Sequence, residues 1–295
     1  MNARLLFILL LFTIGALWYI IGYWRRKAGE AAFAAARLTE KSEERERYCR
    51  LAVMAGHREA CRMFCLLHPE RFDGHSPHKP FKLRGIRISF YGYYYPSRYN
   101  ALLNDEQRAF CHSIYQFKQG DIHGIEFFKT CMNALQLKKR PYHIMFMPCS
   151  NWIKYGQRFK RLDWYIGKHR QDLTSGLYDV DICDARESLH EAKGGEKRIL
   201  ERNYLITRKI KGKEIIIIDD VLTTGQSVVD YKEEIERCGG KVVAAIFYGK
   251  TLSMPSMLLV QIHVWGNHIA HIIERMTSNR NVFSPFHFSF TTCQC

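Results

Sequence analysis

The chain opens on an uncharged apolar run, Leu5–Trp24, built mostly from Leu, Ile, Phe and Trp. A helix needs about 20 such residues to span a bilayer. Arg25, Arg26 and Lys27 follow at once, with only Arg4 and the terminal amine ahead of the run. The positive-inside rule then predicts a single-pass anchor over residues 1–26 at the cell inner membrane, with the body of the protein in the cytoplasm. Trp18, Tyr19, Tyr23 and Trp24 suit an interfacial aromatic belt. A cleaved signal peptide would put its basic residues before a shorter apolar core.

Residues 27–137 predict a mainly helical region. Ala31–Ala36 favours helix, Glu40–Arg47 is charged, and Tyr48, Leu51, Ala52 and Ala55 recur at helical spacing. The segment Gly56–Phe64 has an echo at Gly120–Phe128: a glycine, a small residue four positions on, and a phenylalanine four after that. Glycine can end one helix, and the small residue lets the next pack closely. This pattern resembles a degenerate Sel1-like, tetratricopeptide-related repeat, which implies a stacked helical array and a surface for a protein partner. Between the copies, Pro77, Pro80 and Pro96 exclude helix interior, and Ile86–Tyr95, with its aromatic run Phe90–Tyr95, predicts a strand or an aromatic loop. Those aromatics, near Arg84, Arg87 and Arg98, suit packing between helices better than stacking on bases.

From Lys138 the period changes. Tyr142–Met147 is a short apolar run ending at Pro148, as a buried parallel strand would. A basic helix is expected within Asn151–His169 and a strand within Asp179–Cys183. Arg186–Asn203 is polar, contains Gly194 and Gly195, and predicts a mobile loop. Glu214–Ile218 predicts a strand, Gln226–Cys238 a helix stopped by Gly239 and Gly240, and Lys241–Tyr248 the next strand. Strand, helix and strand in that order form a right-handed parallel unit. The tail, residues 253–295, predicts a strand at Leu258–Trp265 and a short helix at His268–Met276.

The candidate chemistry lies in one stretch. Ile215–Ile218 fits a central strand buried on both faces, which ends at two adjacent carboxylates, Asp219 and Asp220. Thr223, Thr224, Gly225, Gln226 and Ser227 follow and open a helix. Backbone N–H groups at a helix start favour an anion, glycine permits close approach, and the hydroxyls add donors. Carboxylates accept hydrogen bonds from sugar hydroxyls, so the acidic pair suits a ribose diol. Phosphate at one end and diol at the other describe a ribose 5-phosphate, held where open sheets bind ligands.

This stretch resembles the type I phosphoribosyltransferase family, whose hallmark is an apolar strand, an acidic pair and Thr-Thr-Gly-x-Ser/Thr. The implied fold is α/β, a Rossmann-like parallel sheet over residues 138–252, preceded by the transmembrane helix and the helical region. Within the family the chain looks most like the ComF-type branch, through Met147–Ser150, Tyr155–Phe159 and the span Arg198 to Asn203. Purine-salvage members carry a catalytic Asp where this chain has Thr223, which argues against that chemistry. The resemblance implies binding of phosphoribosyl pyrophosphate or a nucleotide, and phosphoribosyl transfer to or from a base. Pro148, Cys149, Ser150 and Asn151 would cradle pyrophosphate, with Mg²⁺ bound to the substrate rather than to protein ligands. Lys193, Lys197 and Arg198 would close over the reacting centre as catalytic residues. The rival readings are a catalytically silent ribose-phosphate sensor, regulator or defence effector, and a ComF-like role in nucleic-acid handling, with nucleic acid the less favoured partner.

Composition adds little beyond this. The 295 residues carry a formal net charge of +15, which points to anionic partners without choosing among them. Ten cysteines spread along the chain are no secreted disulfide framework and imply a reducing compartment. His57, Cys61, Cys65 and His68 share one helix face, but one straight helix cannot wrap a tetrahedral metal. Cys293 and Cys295 read as a frayed tail.

Overall fold

Ile215–Ile218, all fully buried, form the centre of a sheet flanked on both edges by parallel neighbours. The computed structural model describes residues 3–121, 123–182 and 203–280. Its helices are α1 (Ala3–Leu38), α2 (Ser42–Met54), α3 (Arg58–Leu67), α4 (Pro69–Asp73), α5 (Asp105–Lys118), α6 (His123–Leu135), α7 (Trp152–His169), α8 (Gln226–Arg237) and α9 (Met257–Arg280). Its strands are β1 (Phe81–Leu83), β2 (Ile86–Tyr94), β3 (Tyr142–Phe146), β4 (Leu173–Ser175), β5 (Val180–Ile182), β6 (Tyr204–Ile206), β7 (Glu214–Leu222) and β8 (Lys241–Thr251).

The main sheet has the order β1-β2-β8-β7-β3-β4, parallel throughout except for the β1–β2 hairpin at its edge. β5 and β6 form a separate antiparallel pair. The expected β7–α8–β8 unit is present, and this largely parallel α/β sheet fits a phosphoribosyltransferase fold. α7 follows β3 and buries Tyr155, Phe159, Leu162 and Ile166, a stripe at helical spacing, in the core that covers the sheet. α5 starts at a capping box in which the Asn104 carboxamide accepts from Gln107 N–H at 2.8 Å and Gln107 accepts from Asn104 N–H at 3.1 Å. That cap fixes where α5 begins, and so where Lys118 stands at its end.

The chain divides into two compact units, Pro69–Ser253 and a second made of Met1–His68 with Met254–Cys295. β1, β2, α5 and α6 fall in the region expected to be helical, residues 27–137, yet they belong with the sheet. The reason is the aromatic run. β2 pairs with β8, and Phe90 and Tyr93 are buried while Tyr91 packs on Phe110 and Tyr248, so these rings are core rather than a base-stacking surface.

The echoed glycine segments are both helix–turn–helix. Gly56 (φ +89°) separates α2 from α3 and Gly120 (φ +86°) separates α5 from α6, each in the left-handed region that glycine reaches without strain. The small residues pack closely: Ala60 is fully buried, and a Cβ on Gly124 would meet the Phe117 ring at 2.7 Å. The two hairpins belong to different units, so a stacked repeat array does not follow from them. The tail is also different from expectation. A single helix, α9, replaces the strand and short helix, with Val260 and Val264 buried.

α1 runs well past the expected anchor at residues 1–26. Every side chain from Leu10 to Trp24 is exposed, whereas Gly29 and Ala36 are buried in the half that packs on α2. Among the described residues no helix is long and apolar enough to cross a membrane. The uncharged run Leu5–Trp24 stops at Arg25, and the side chains before Leu6 and at positions 8 and 9 lie outside the described residues.

Candidate functional site: an acidic pair beside a helix start

The site forms where β7 runs out. Asp219 Oδ1 accepts from Asp220 N–H and Asp220 Oδ1 from Val221 N–H, each at 2.7 Å. These bonds fold each carboxylate back on the chain and fix its remaining oxygen. Arg158 of α7 reaches Asp220 Oδ2 at 3.0 Å and Asp219 Oδ1 at 3.8 Å, and Lys118 of α5 reaches Asp220 Oδ2 at 3.1 Å. Both carboxylates are therefore bracketed by helices on one side of the sheet.

Their electrostatics diverge. Burial works against ionisation at Asp220, but Arg158 and Lys118 outweigh it and hold this carboxyl below the usual range. Burial and the neighbouring charge of Asp220 push Asp219 well above that range. The two carboxyls are thus driven apart in acidity, with Asp219 the more reluctant to ionise. Burial alone would weaken the charge of Arg158, yet Asp220 leads the groups that strengthen it. Arg158 Nε is buried with no hydrogen-bond acceptor among the described residues. An orphaned donor of this kind calls for a partner oxygen.

The loop beyond the pair has the form expected of an anion site. Gly225 (φ +77°) caps α8 and is buried, while Thr223, Thr224, Gln226 and Ser227 are exposed. Thr224 Oγ1 accepts from Gln226 N–H at 3.4 Å. The β1–β2 turn lies over this helix start: Arg84 donates to Gln226 Oε1 at 2.6 Å, and Leu83 reaches Gly225.

The turn after β3 is placed beside the pair by Met147 N–H, which donates to Ile218 O at 2.9 Å. Pro148 and Cys149 are buried, and Ser150 is half-buried. Burial pushes the Cys149 thiol up to about 12, so it is a packing residue and not a nucleophile. Asn151 spends its side-chain oxygen as the cap of α7, accepting from Lys154 N–H at 2.9 Å. Asn203 Nδ2 donates to Cys149 O and Ser150 O, both at 3.3 Å, and so ties the end of the polar loop to this turn. Lys193, Lys197 and Arg198 lie outside the described residues.

No part in this site was expected of Arg158, Lys118 or Arg84. A signal for Arg158 was available: it stands at a core position of α7, between buried Tyr155 and Phe159. A charge there requires a buried partner. Lys118 and Arg84 carry no such mark. Elsewhere, burial raises the Cys61 thiol to about 11 and the Cys65 thiol to about 12. His57 is the cap of α3, accepting from Ala60 N–H. These residues serve packing and capping.

The sheet unit is thus a largely parallel α/β sheet with an acidic pair and a glycine-capped helix start at its carboxyl edge. Within it, residues 171–251 match the family model of the phosphoribosyl transferase domain. The chain is also similar to the orotate phosphoribosyltransferase of Sulfolobus acidocaldarius, 42% identical over 57 residues, which is 19% of this chain and 26% of that protein. The chain thus spans about a quarter of the length of this curated relative.

Proposed function

We propose that the sheet unit binds phosphoribosyl pyrophosphate, or the ribose 5-phosphate of a nucleotide, and transfers phosphoribosyl to or from a base. One observation carries this most: the orphaned Nε of Arg158 stands with a buried acidic pair, beside a glycine-capped helix start. In this reading Thr223, Thr224, Ser227 and the N–H groups after Gly225 hold the 5-phosphate. Asp219 and Asp220 hold the ribose hydroxyls, and Arg158 keeps the two carboxylates in place. The turn Pro148–Ser150 receives pyrophosphate, with Mg²⁺ arriving on the substrate. The bond from the anomeric carbon to pyrophosphate breaks with its electron pair leaving on oxygen, and a ring nitrogen of the base bonds to that carbon, its proton passing to solvent. Negative charge beside the ribose favours the positive centre formed between these events. Lys193, Lys197 and Arg198 would neutralise the departing pyrophosphate and exclude water.

Calorimetry of the full chain with phosphoribosyl pyrophosphate and Mg²⁺, followed by pyrophosphate release across a panel of bases, tests the two halves separately. No binding removes the whole proposal. Binding with no release for any base leaves the sensor reading, which the engagement of Asp220 by two cations favours.

Asp219→Asn is the informative variant, because asparagine keeps the shape of a carboxyl whose ionisation burial and Asp220 already disfavour. It should keep the wild-type melting curve and bind the ribose phosphate about tenfold more weakly, as for loss of one good hydrogen bond of about 1.5 kcal/mol. Unchanged affinity would remove Asp219 from the site. Changing Asp220 as well strips Arg158 of its counter-ions and should unfold the protein.

We further propose that Leu5–Trp24 seats the chain in the cell inner membrane, with the rest in the cytoplasm. Exposed apolar side chains all round α1 from Leu10 to Trp24, followed by Arg25, Arg26 and Lys27, support this. The full chain should stay in the membrane pellet after carbonate extraction; recovery in the supernatant would refute it.

A further inference from the structure

α9 buries one side and leaves the other bare. Val260 and Val264, one turn apart, are buried where the helix packs on α2 and α3 of its own unit, and Gln261 Nε2 donates to Val53 O at 3.4 Å. At about 100° per residue, the far side of the helix carries Leu258, Ile262, Trp265, Ile269 and Ile272. These five recur every three or four positions and are between 42% and 64% exposed. From Leu258 to Ile273 the helix holds no Lys, Arg, Asp or Glu. An apolar stripe of this length left in water calls for an occupant.

The place where α9 begins points to that occupant. Met257 and Gln261 line a cavity of about 670 Å³ together with Gly22, Arg25 and Arg26 of α1 and Arg58 of α3. The exposed apolar run of α1 ends at the same level, with Trp24 its last member and Arg25 the first charge after it. Arg25 is held there by donating from Nε to Ala55 O at 3.1 Å. The acids of the cavity are spent on other cations, Glu30 on Lys27 at 3.1 Å and Glu59 on Arg62 at 2.5 Å. Arg26 and Arg58 have no carboxylate partner among the described residues. The stripe of α9 thus starts beside a rim of unneutralised cations, where the apolar run of α1 stops.

We propose that α9 lies on the anionic lipid surface around α1, with its apolar stripe in the acyl boundary and Arg26 and Arg58 on headgroup phosphates. The proposal rests on the seating of α1 in a membrane. A helix held in the interface plane combines such a stripe with attraction to anionic headgroups. α9 brings no Lys or Arg of its own before Arg275, so the cations of α1 and α3 supply that attraction. Tryptophan in the stripe suits the same depth. A second copy of the chain fits the stripe less well. The flanking positions Leu259, Gln261, Gly266, His268 and Ile273 carry none of the charges that select and orient a coiled-coil partner. α1 alone is free to turn about its own axis, and a second contact through α9 would fix how its unit stands on the bilayer.

The test uses the full chain reconstituted in vesicles of phosphatidylcholine and phosphatidylglycerol whose acyl chains carry an alkyne tag. A benzophenone amino acid is placed singly at Ile262, at Ile269, at Asn267 on the polar side, and at Leu17 in α1. Irradiation should give lipid adducts from Ile262 and Ile269 and none from Asn267, because only the apolar face reaches the acyl boundary. Leu258→Asn with Ile272→Asn should abolish the adduct from Ile269 without moving the melting curve, since both side chains are already exposed. Arg26→Gln with Arg58→Gln should lower the Ile269 yield in these vesicles and leave it unchanged in pure phosphatidylcholine; an equal yield in both would overturn the headgroup contact. Lipid adducts from Leu17 with none from Ile269 overturn the proposal and leave the anchor standing, and none from either overturns both. Equal adducts from Asn267 and Ile269 overturn it too. So do adducts from Ile269 to a second copy of the chain or to its own residues beyond 280.

Discussion

Replacing Arg158 with methionine should cost the sheet unit about 3–5 kcal/mol at neutral pH, the usual penalty for stripping one partner from a buried ion pair. The variant keeps the bulk of the side chain and leaves Asp219 and Asp220 with Lys118 alone. The loss should depend on pH in a defined direction. In the wild type the folded-state value of Asp220 is depressed. Its contribution is therefore complete above the ordinary aspartate value, about 3.9, and disappears as pH falls through the depressed one. Without Arg158, the folded carboxylates instead titrate above their unfolded values, and the variant takes up protons to fold. The gap between the two proteins should be widest at pH 7 and narrow steadily towards pH 4. Thermal melts of both at a series of pH values read this directly. A gap that does not change with pH would mean that Arg158 acts by packing alone. Lys118→Met should show the same trend more weakly, because the Lys118 side chain is 31% exposed and water takes over part of its role.

The largest effect on ligand binding is expected at Gly225. Its φ of +77° is unfavourable for any residue with a Cβ, and that Cβ would run into the Leu83 side chain. Gly225→Val should push the β1–β2 turn off the helix start and turn the N–H groups after Gly225 away from the phosphate. A displacement of about 1 Å at a binding centre can cost two orders of magnitude. Affinity for phosphoribosyl pyrophosphate, by calorimetry, should fall at least that far. Leu83→Ala combined with Gly225→Ala separates the causes. Recovery of affinity in the double variant would assign the defect to the clash, and persistent loss would assign it to the backbone. Binding of Gly225→Val within threefold of wild type would show that the phosphate lies elsewhere.

The sheet's centre was legible because its signals are local. Ile215–Ile218, the acidic pair and the glycine-opened helix occupy one short stretch, and each obeys a rule of strand burial or helix starts. The edge of the same sheet was only half legible. Ile86–Tyr95 read as a strand or an aromatic loop, and only the partner β8 decides for the strand and joins it to the sheet. The cations of the site were hidden for a related reason: Arg158 and Lys118 come from helices far from β7 in sequence, and spacing carries no trace of such meetings. The tail misled through composition, because Leu258–Trp265 is apolar enough for a strand while Val260 and Val264 bury one side of a helix.

The pairing of β2 with β8 has a consequence for synthesis. Arg87 stands opposite Ala244, and more than half the chain is translated between them. At roughly 5–20 residues per second, β2 waits on the order of ten to thirty seconds for its neighbour. During that interval the ribosome holds out a segment of isoleucine, phenylalanine and tyrosine with unpaired backbone groups, the kind of edge that recruits other chains. Arg87, set among these residues, works as a gatekeeper against such pairing until β8 emerges. The unit therefore depends on its last strand for protection as well as for stability, and a nascent chain halted before residue 241 is the form most exposed to aggregation.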